Sequence, residues 1–215
     1  MNFRVISGGQ TGADLAGLWV GKLLGLETGG TAPGEFMTLD GPKPELGRNF
    51  GLVEGPAGYR DRTRTNVNDA DVTLIFSRNM ASPGTVLTVN SAIKAHKPYF
   101  AIKDTRSPGE SLKSFWCADN CPITAQAAAQ FITNLCDVKK LTSELVTINV
   151  AGNATKNAQE AYEFAFMGLI HVFMMLRHDL MPWRVGEISI SDWLVIARAT
   201  KDQYELAGEV AEVLA

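Results

Sequence analysis

The feature that most constrains this chain is a break close to its start. Phe3-Arg4-Val5-Ile6 is a short aromatic and β-branched run that gives way to Ser7-Gly8-Gly9-Gln10-Thr11-Gly12, after which Leu15, Leu18, Trp19 and Leu23 repeat at helical spacing until Gly25. Strand, glycine turn and helix then recur. Asp71 to Phe76 reads as a buried strand, Ser82-Pro83-Gly84-Thr85 as a turn, Val86 to His96 as an amphipathic helix and Pro98 to Ile102 as the next strand, and the crossover rule makes the two strands parallel neighbours. Pro122 stands where a first helical residue would, which predicts a helix over Ile123 to Cys136, followed by a strand from Leu145 to Val150. Ala151-Gly152-Asn153 is a third glycine turn, opening a long helix from about Thr155 to Leu176. The alternation predicts an α/β fold, a Rossmann-like open parallel sheet with helices on both faces, with ligands bound beyond the carboxyl ends of the strands.

Two segments interrupt the alternation. Between Ala32 and Gly58 ten of 27 residues are Gly or Pro, and a stretch of that length without regular structure inside a domain is expected to be a lid, here over the first glycine turn. After Met181-Pro182, a helix is predicted from Ser191-Asp192 through Trp193 to Leu214. The expected organisation is a ligand-binding domain over residues 1–180 and a helical extension over 181–215. The helix ending at Leu176 is apolar over most of its circumference, with Phe164, Phe166, Met167, Met174 and Met175 beyond its core stripe. Such a surface needs cover. A homo-oligomer built on this helix and the last one is expected, with cover by the last helix within one chain as the competing reading.

Composition narrows the function. With 20 Lys+Arg against 23 Asp+Glu the formal charge is −3, which excludes a cationic surface for duplex nucleic acid. The longest apolar run, Phe164 to Leu176, contains His171 and is shorter than the roughly 18–20 residues a bilayer span needs. No signal peptide is read at the start. Cys117, Cys121 and Cys136 are an odd number without CxxC pairing, so reduced thiols in a cytoplasmic setting are expected.

The three glycine turns are predicted to open at one edge of the sheet, each presenting backbone N–H groups at a helix N-terminus, where missing Cβ atoms admit an anion and the helix dipole favours it. That makes Gly8, Gly9, Gln10, Thr11, Gly12, Gly84, Thr85, Gly152 and Asn153 candidate ligand-binding residues. Thr11 is equally suited to capping its helix. Asp14, in the first helical turn, suits ribose hydroxyls or the role of a base, and is the least implausible catalytic residue. Arg62 and Asn66, spaced i, i+4 within Tyr59 to Asn66, would share a helix face and clamp a phosphate or a base edge. GGQTG is neither a Walker A loop nor a dinucleotide GxGxxG loop, there is no Gly-x-Ser-x-Gly elbow, and His96, His171 and His178 are scattered, so no metal site is indicated.

Ile6 to Asp14, Gly29-Gly30, Asp40-Gly41-Pro42, Tyr59 with Arg62-Thr63 and Asn66-Val67, Asp69-Ala70-Asp71, Gly84-Thr85 with Leu87-Thr88, Lys97-Pro98 and Asn149-Val150-Ala151-Gly152 resemble, in order and spacing, the molybdenum carrier protein family. The resemblance runs through roughly residues 3 to 176. That family is similar to the wider SLOG superfamily of Rossmann-like domains, which includes LOG-type nucleotide phosphoribohydrolases. The resemblance implies a small-molecule ligand, nucleotide-derived or the molybdenum cofactor. LOG-type enzymes carry Pro-Gly-Gly-x-Gly-Thr-x-x-Glu, whose glutamate serves glycosidic cleavage; counted from Gly84-Thr85, that position is Thr88 here. The expected function is therefore binding of a nucleotide-derived or other oxyanionic ligand, with a LOG-like nucleotide hydrolase and a sensor of a nucleotide second messenger as the alternatives.

Overall fold

The computed structural model describes residues 2–55, 58–107, 110–112, 123–139, 145–153, 158–176 and 190–201. Strand β1 (Asn2–Ser7) leads through the glycine turn into helix α1 (Ala13–Leu23) and then β2 (Glu27–Ala32). A 3-10 turn (Gly34–Phe36), a small hairpin of β3 (Met37–Thr38) and β4 (Gly41–Pro42), helix α2 (Glu45–Phe50) and strand β5 (Leu52–Glu54) follow. The rest alternates: α3 (Tyr59–Asp69), β6 (Val72–Ser77), α4 (Pro83–Lys94), β7 (Tyr99–Lys103), α5 (Ile123–Lys139), β8 (Leu145–Gly152), α6 (Ala158–Leu176) and α7 (Ile190–Lys201).

One sheet carries six of these strands in the order β5-β2-β1-β8-β6-β7, every neighbouring pair parallel. All six residues of β6 are buried, as expected of a central parallel strand covered on both faces. The last strand is the innermost. Were the chain to begin at β8, the strands β8, β1, β2 and β5 would march outward on one side, and β6 and β7 would return to the centre and march outward on the other. That is the doubly wound arrangement, with the order reversing between β8 and β6, the place where such sheets leave a crevice at their carboxyl edge. Helices α1, α5 and α6 pack side by side, while α3 and α4 pack together against β2, β8 and β6.

Several boundaries differ from the sequence reading. Ser82-Pro83-Gly84-Thr85 is not a free turn: Ser82 is the N-cap and Pro83 the first residue of α4, since proline's fixed φ and missing N–H suit that position. Gly152 is the last residue of β8. Strands β2 and β5 escaped the pattern altogether, one glycine-rich and the other three residues long. Pro122, Cys117, Cys121 and the final predicted helix beyond Lys201 lie outside the described residues; Cys136 is buried.

The segment after Ala32 does fold over the first glycine turn, but it belongs to the core. Leu46, Phe50 and Leu52 are buried, and the Phe50 ring meets the fully buried Trp19 of α1 edge-on at 5.2 Å. Glu35 and Phe36 take left-handed φ values of 57° and 50°, a backbone cost that this packing sustains. Replacing Phe50 with Ala should lower stability by about 3–5 kcal/mol in urea unfolding, the cost of emptying an aromatic core site, whereas a segment merely resting on the surface would lose less than about 1 kcal/mol.

The apolar helix α6 is covered within the chain. Trp193 of α7 lies against Phe166 with ring centroids 6.3 Å apart, Tyr162 Oη pairs with Thr200 Oγ1 at 2.9 Å, and Arg198 Nε donates to Glu163 Oε1 at 2.9 Å. Phe164, which meets Phe76 of the sheet, Phe166 and Met167 are buried, and Met174 and Met175 are partly buried. Among the described residues, cover by the last helix within one chain, the competing reading, is therefore realised. Among the described residues no helix is long and apolar enough to cross a membrane.

His171 is buried in α6, its Nδ1 within 2.7 Å of the Met167 carbonyl, and burial pushes its pKa below the usual histidine value. The folded chain then binds fewer protons there than the unfolded chain, so this contribution to stability is present above about pH 6.5 and is lost as pH falls. A His171→Gln variant should lose less stability between pH 7 and pH 5 than the native chain, as measured by denaturant midpoints.

Candidate functional site

The first glycine turn does not hold its amides open. Gly9 N–H donates to Ser7 Oγ at 3.2 Å, and Gln10 N–H to Asp14 Oδ2 at 3.3 Å. Gly8 adds a further main-chain hydrogen bond to the same carboxylate. The turn therefore binds an anion of its own. Arg62, from the inner face of α3, lays its guanidinium across Gly8, where a Cβ would collide with it, and donates from Nη1 to Asp14 Oδ2 at 2.8 Å. Both side chains are largely buried, 12% and 5% exposed. Burial raises the Asp14 pKa above the ordinary carboxylate value, and the charge of Arg62 and its hydrogen bonds only partly offset that rise.

The amide side chains proposed for ligand contact have other work. Gln10 Nε2 donates to the Met37 carbonyl at 3.0 Å and its Oε1 accepts from Leu39 N–H at 3.2 Å, which ties the β3–β4 hairpin to the turn. Asn66 pairs both ways with the main chain of Thr31, at 2.8 and 2.9 Å. Asn153 Oδ1 accepts from Ser77 Oγ and from the N–H groups of Arg78 and Asn79, and its Nδ2 donates to Ser82 Oγ at 3.0 Å. Thr85 Oγ1 lies in the same network, beside Ser77 Oγ and Ser82 Oγ. Thr11 is not the cap of α1, a place taken by Gly12, and its buried hydroxyl has no partner among the described residues.

The glycines divide along the same line. A Cβ on Gly12 would strike the Asn153 carbonyl, and one on Gly152 the carbonyl of Phe76 and the Ala13 methyl, so these two are glycine because β1, β8 and β6 close on one another there. A Cβ on Gly9 would meet Leu52 and Leu46. Gly84 is different. Nothing lies within 4 Å of where its Cβ would be.

Gly84 borders a cavity of about 50 Å³ at the reversal between β8 and β6, lined by Asp14, Arg62, Thr63, Asn66, Gly84, Thr88, Asn149, Ala151 and Gly152. Of the residues singled out in the sequence, Asp14, Arg62, Asn66, Gly84 and Gly152 are brought together here; Gly8, Gly9, Gln10, Thr11, Gly12, Thr85 and Asn153 shape the surroundings without lining it. Thr63, Thr88 and Asn149 were not assigned to the site. Asn149 had a signal, being a buried amide in the middle of an apolar strand. A larger groove of about 480 Å³ runs past Arg64 and Lys94 outside α3 and α4, but no turn residue reaches it. Among the described residues no group of three or more His, Cys, Asp or Glu is placed to hold a metal ion.

A doubly wound parallel sheet with a polar cleft at its reversal point defines a Rossmann-like fold. The model of the circularly permutated YpsA SLOG family matches residues 5–173, and the chain belongs to that family. The permutation is visible as the strand that comes last and sits innermost. The chain is also similar to the crystal structure of a putative molybdenum carrier protein from Syntrophus aciditrophicus, with 30% identity, a TM-score of 0.60, and coverage of 80% of this chain and 94% of that one. A search of curated proteins finds no match.

The contrast among the glycines is testable. Gly12→Ala and Gly152→Ala should each cost about 1–3 kcal/mol in urea unfolding, because a methyl group is forced onto a carbonyl. Gly84→Ala should be neutral or stabilising by up to about 1 kcal/mol, the usual gain from removing glycine inside a helix.

Proposed function

We propose that the chain binds a small oxyanionic molecule, nucleotide-derived or the molybdenum cofactor, in the cleft between α3 and the first turn of α4, and does not turn it over. The observation that supports this most is the placement of Gly84. The N-terminal turn of a 12-residue helix faces a cavity with no Cβ in the way, and the Arg62 guanidinium stands in the cavity wall. Backbone N–H groups and the helix dipole at such a turn favour an anion, and a planar guanidinium matches phosphate or another oxyanion. The name of the Syntrophus protein supports a carried ligand.

Absence of turnover follows from the walls. Hydrolysis of a glycosidic bond needs a carboxyl group set against the bond, and where the LOG-type motif has glutamate this cavity has Thr88, its hydroxyl donated to the Gly84 carbonyl at 3.0 Å. Among the described residues Asp14 is the one carboxylate in the lining, and it is engaged by Arg62.

Titration calorimetry with AMP, inorganic phosphate and molybdate tests the proposal. Binding of at least one is expected in the native chain and should be lost in Gly84→Glu, which adds a carboxylate where there is open space and so leaves cooperative unfolding intact. Retention of affinity in that variant places the ligand elsewhere. Release of ribose phosphate from AMP at enzymatic rates, abolished by Asp14→Asn, would establish the hydrolase alternative instead.

A further inference from the structure

We infer that Asp14 is a built-in substitute for the ligand's anion, and that an anionic group enters the cleft only together with a proton taken up by Asp14. The inference rests on the reading of the cleft as an oxyanion site and assigns how that site is regulated. Three observations lead to it. The turn amides that an anion would use, Gly8 N–H and Gln10 N–H, already point at the Asp14 carboxylate. The guanidinium that an anion would use is already spent on the same carboxylate, while Arg62 Nε is buried with no partner. And the cavity holds about 50 Å³, so an entering oxyanion comes within a few ångströms of that carboxylate.

Charge then decides. Among the described residues of the lining Arg62 is the sole cation, and the other side chains there are neutral: Thr63 and Asn66 on α3, Thr88 on α4 and Asn149 on β8. The β3–β4 hairpin meets the turn through the neutral Met37 carbonyl and Leu39 N–H, both held by the Gln10 side chain. On α6, which packs against α1, Glu160 and Glu163 are engaged by Arg78 and Arg198, and Lys22 lies in the last turn of α1, far from Asp14 in the first. Two anions sharing one guanidinium in a desolvated site cannot both stay ionised, the reason paired carboxylates hold one proton between them. Burial has already moved Asp14 toward protonation. Once protonated, it releases Arg62 Nη1, which with the neighbouring Nη2 forms the two-pronged donor set that an oxyanion accepts. The proton comes from solvent and forms the O–H bond of the Asp14 carboxyl, and no other covalent bond changes.

The test uses AMP as the probe on the whole chain. Calorimetry at one pH in buffers of different ionisation enthalpy should show net proton uptake approaching one per AMP bound. The dissociation constant should rise roughly tenfold per pH unit above the pH where free Asp14 loses its proton. Asp14→Asn should bind AMP with no such pH dependence, and about tenfold or more tighter at pH 8, because the carboxamide still accepts from Gln10 N–H but leaves Arg62 free. A catalytic base or an acceptor of ribose hydroxyls would give the opposite result, weaker binding in Asp14→Asn, and that result overturns the inference. So does AMP binding without proton uptake, which leaves the oxyanion site itself standing. Carbon-13 NMR of the Asp14 carboxyl in the native chain gives a readout independent of the variant: its titration midpoint should move up by one pH unit or more in excess inorganic phosphate. An unmoved midpoint refutes the inference, and absence of binding heat with AMP, phosphate and molybdate alike refutes the oxyanion site as well.

Discussion

One amide holds the carboxyl edge of this sheet together. Strand β8 arrives last and inserts between β1 and β6, strands made long before it in the chain. What fixes it there is Asn153, immediately after its end. The Asn153 main-chain N–H donates to the Phe76 carbonyl, the side-chain oxygen gathers Ser77 Oγ and the N–H groups of Arg78 and Asn79, and the side-chain nitrogen reaches the Ser82 hydroxyl at the cap of α4. A buried polar group so fully paired rigidifies its surroundings, and the same group half paired would be a liability. The carbonyl of Asn153 presses on Gly12 from the other side. Through this residue the ends of β1, β6 and β8 and the start of α4 share one fixed geometry, and the cleft is what that geometry leaves over.

The dependence explains why the strand pattern was legible and the use of its polar residues was not. Alternating strand, glycine turn and helix is a local signal, strong enough at β1 to α1 and from β6 to β7 to define an open α/β sheet. Sheet order is not local. Nothing in residues 145 to 152 says that this strand pairs with both β1 and β6, because those contacts close over more than 70 residues. Strands β2 and β5 were hidden for another reason. Gly29-Gly30 removes the apolar signal from the first, and the second buries only Leu52 of its three residues. Tertiary pairing supplies what their propensity lacks.

Polar residues beside a glycine turn look alike in a sequence whether they face a ligand or the main chain. Gln10, Asn66 and Asn153 were all attractive ligands for a bound molecule, but Gln10 and Asn66 each give one donor and one acceptor to main chain, and Asn153 accepts from the N–H groups of Arg78 and Asn79 while its nitrogen donates to the Ser82 hydroxyl. Buried backbone has to be paired somewhere, and in a fold whose strands end in tight turns the amide side chains do it. Arg62 differs from these in pairing with a side chain, the Asp14 carboxylate, which also accepts from the turn's N–H groups. The i, i+4 spacing of Arg62 and Asn66 was read correctly as one helix face, but a single face served two ends: one residue braces β2, the other reaches the cleft.

Permutation leaves such a site intact for a physical reason. The cavity is lined by α1, α3, α4 and β8, four elements drawn from opposite ends of the chain, and their positions are set by sheet neighbours and by close backbone contacts, not by the order in which the chain visits them. Moving the first strand and its helix to the end of the sequence changes which loops are covalent but alters none of the pairings β1–β8 and β8–β6. It does change one thing. In the unpermuted order α6 would run directly into β1 as a crossover; here its far end is free, and the chain continues into α7, whose Trp193 lies over Phe166. The helix thus keeps the face that packs on α1 and gains cover for the face that an extension can reach. Cutting a fold at one connection creates new exposed surface beside the cut, and an added helix is the least disruptive way to bury it, since it touches neither the sheet order nor the carboxyl edge where the cleft lies.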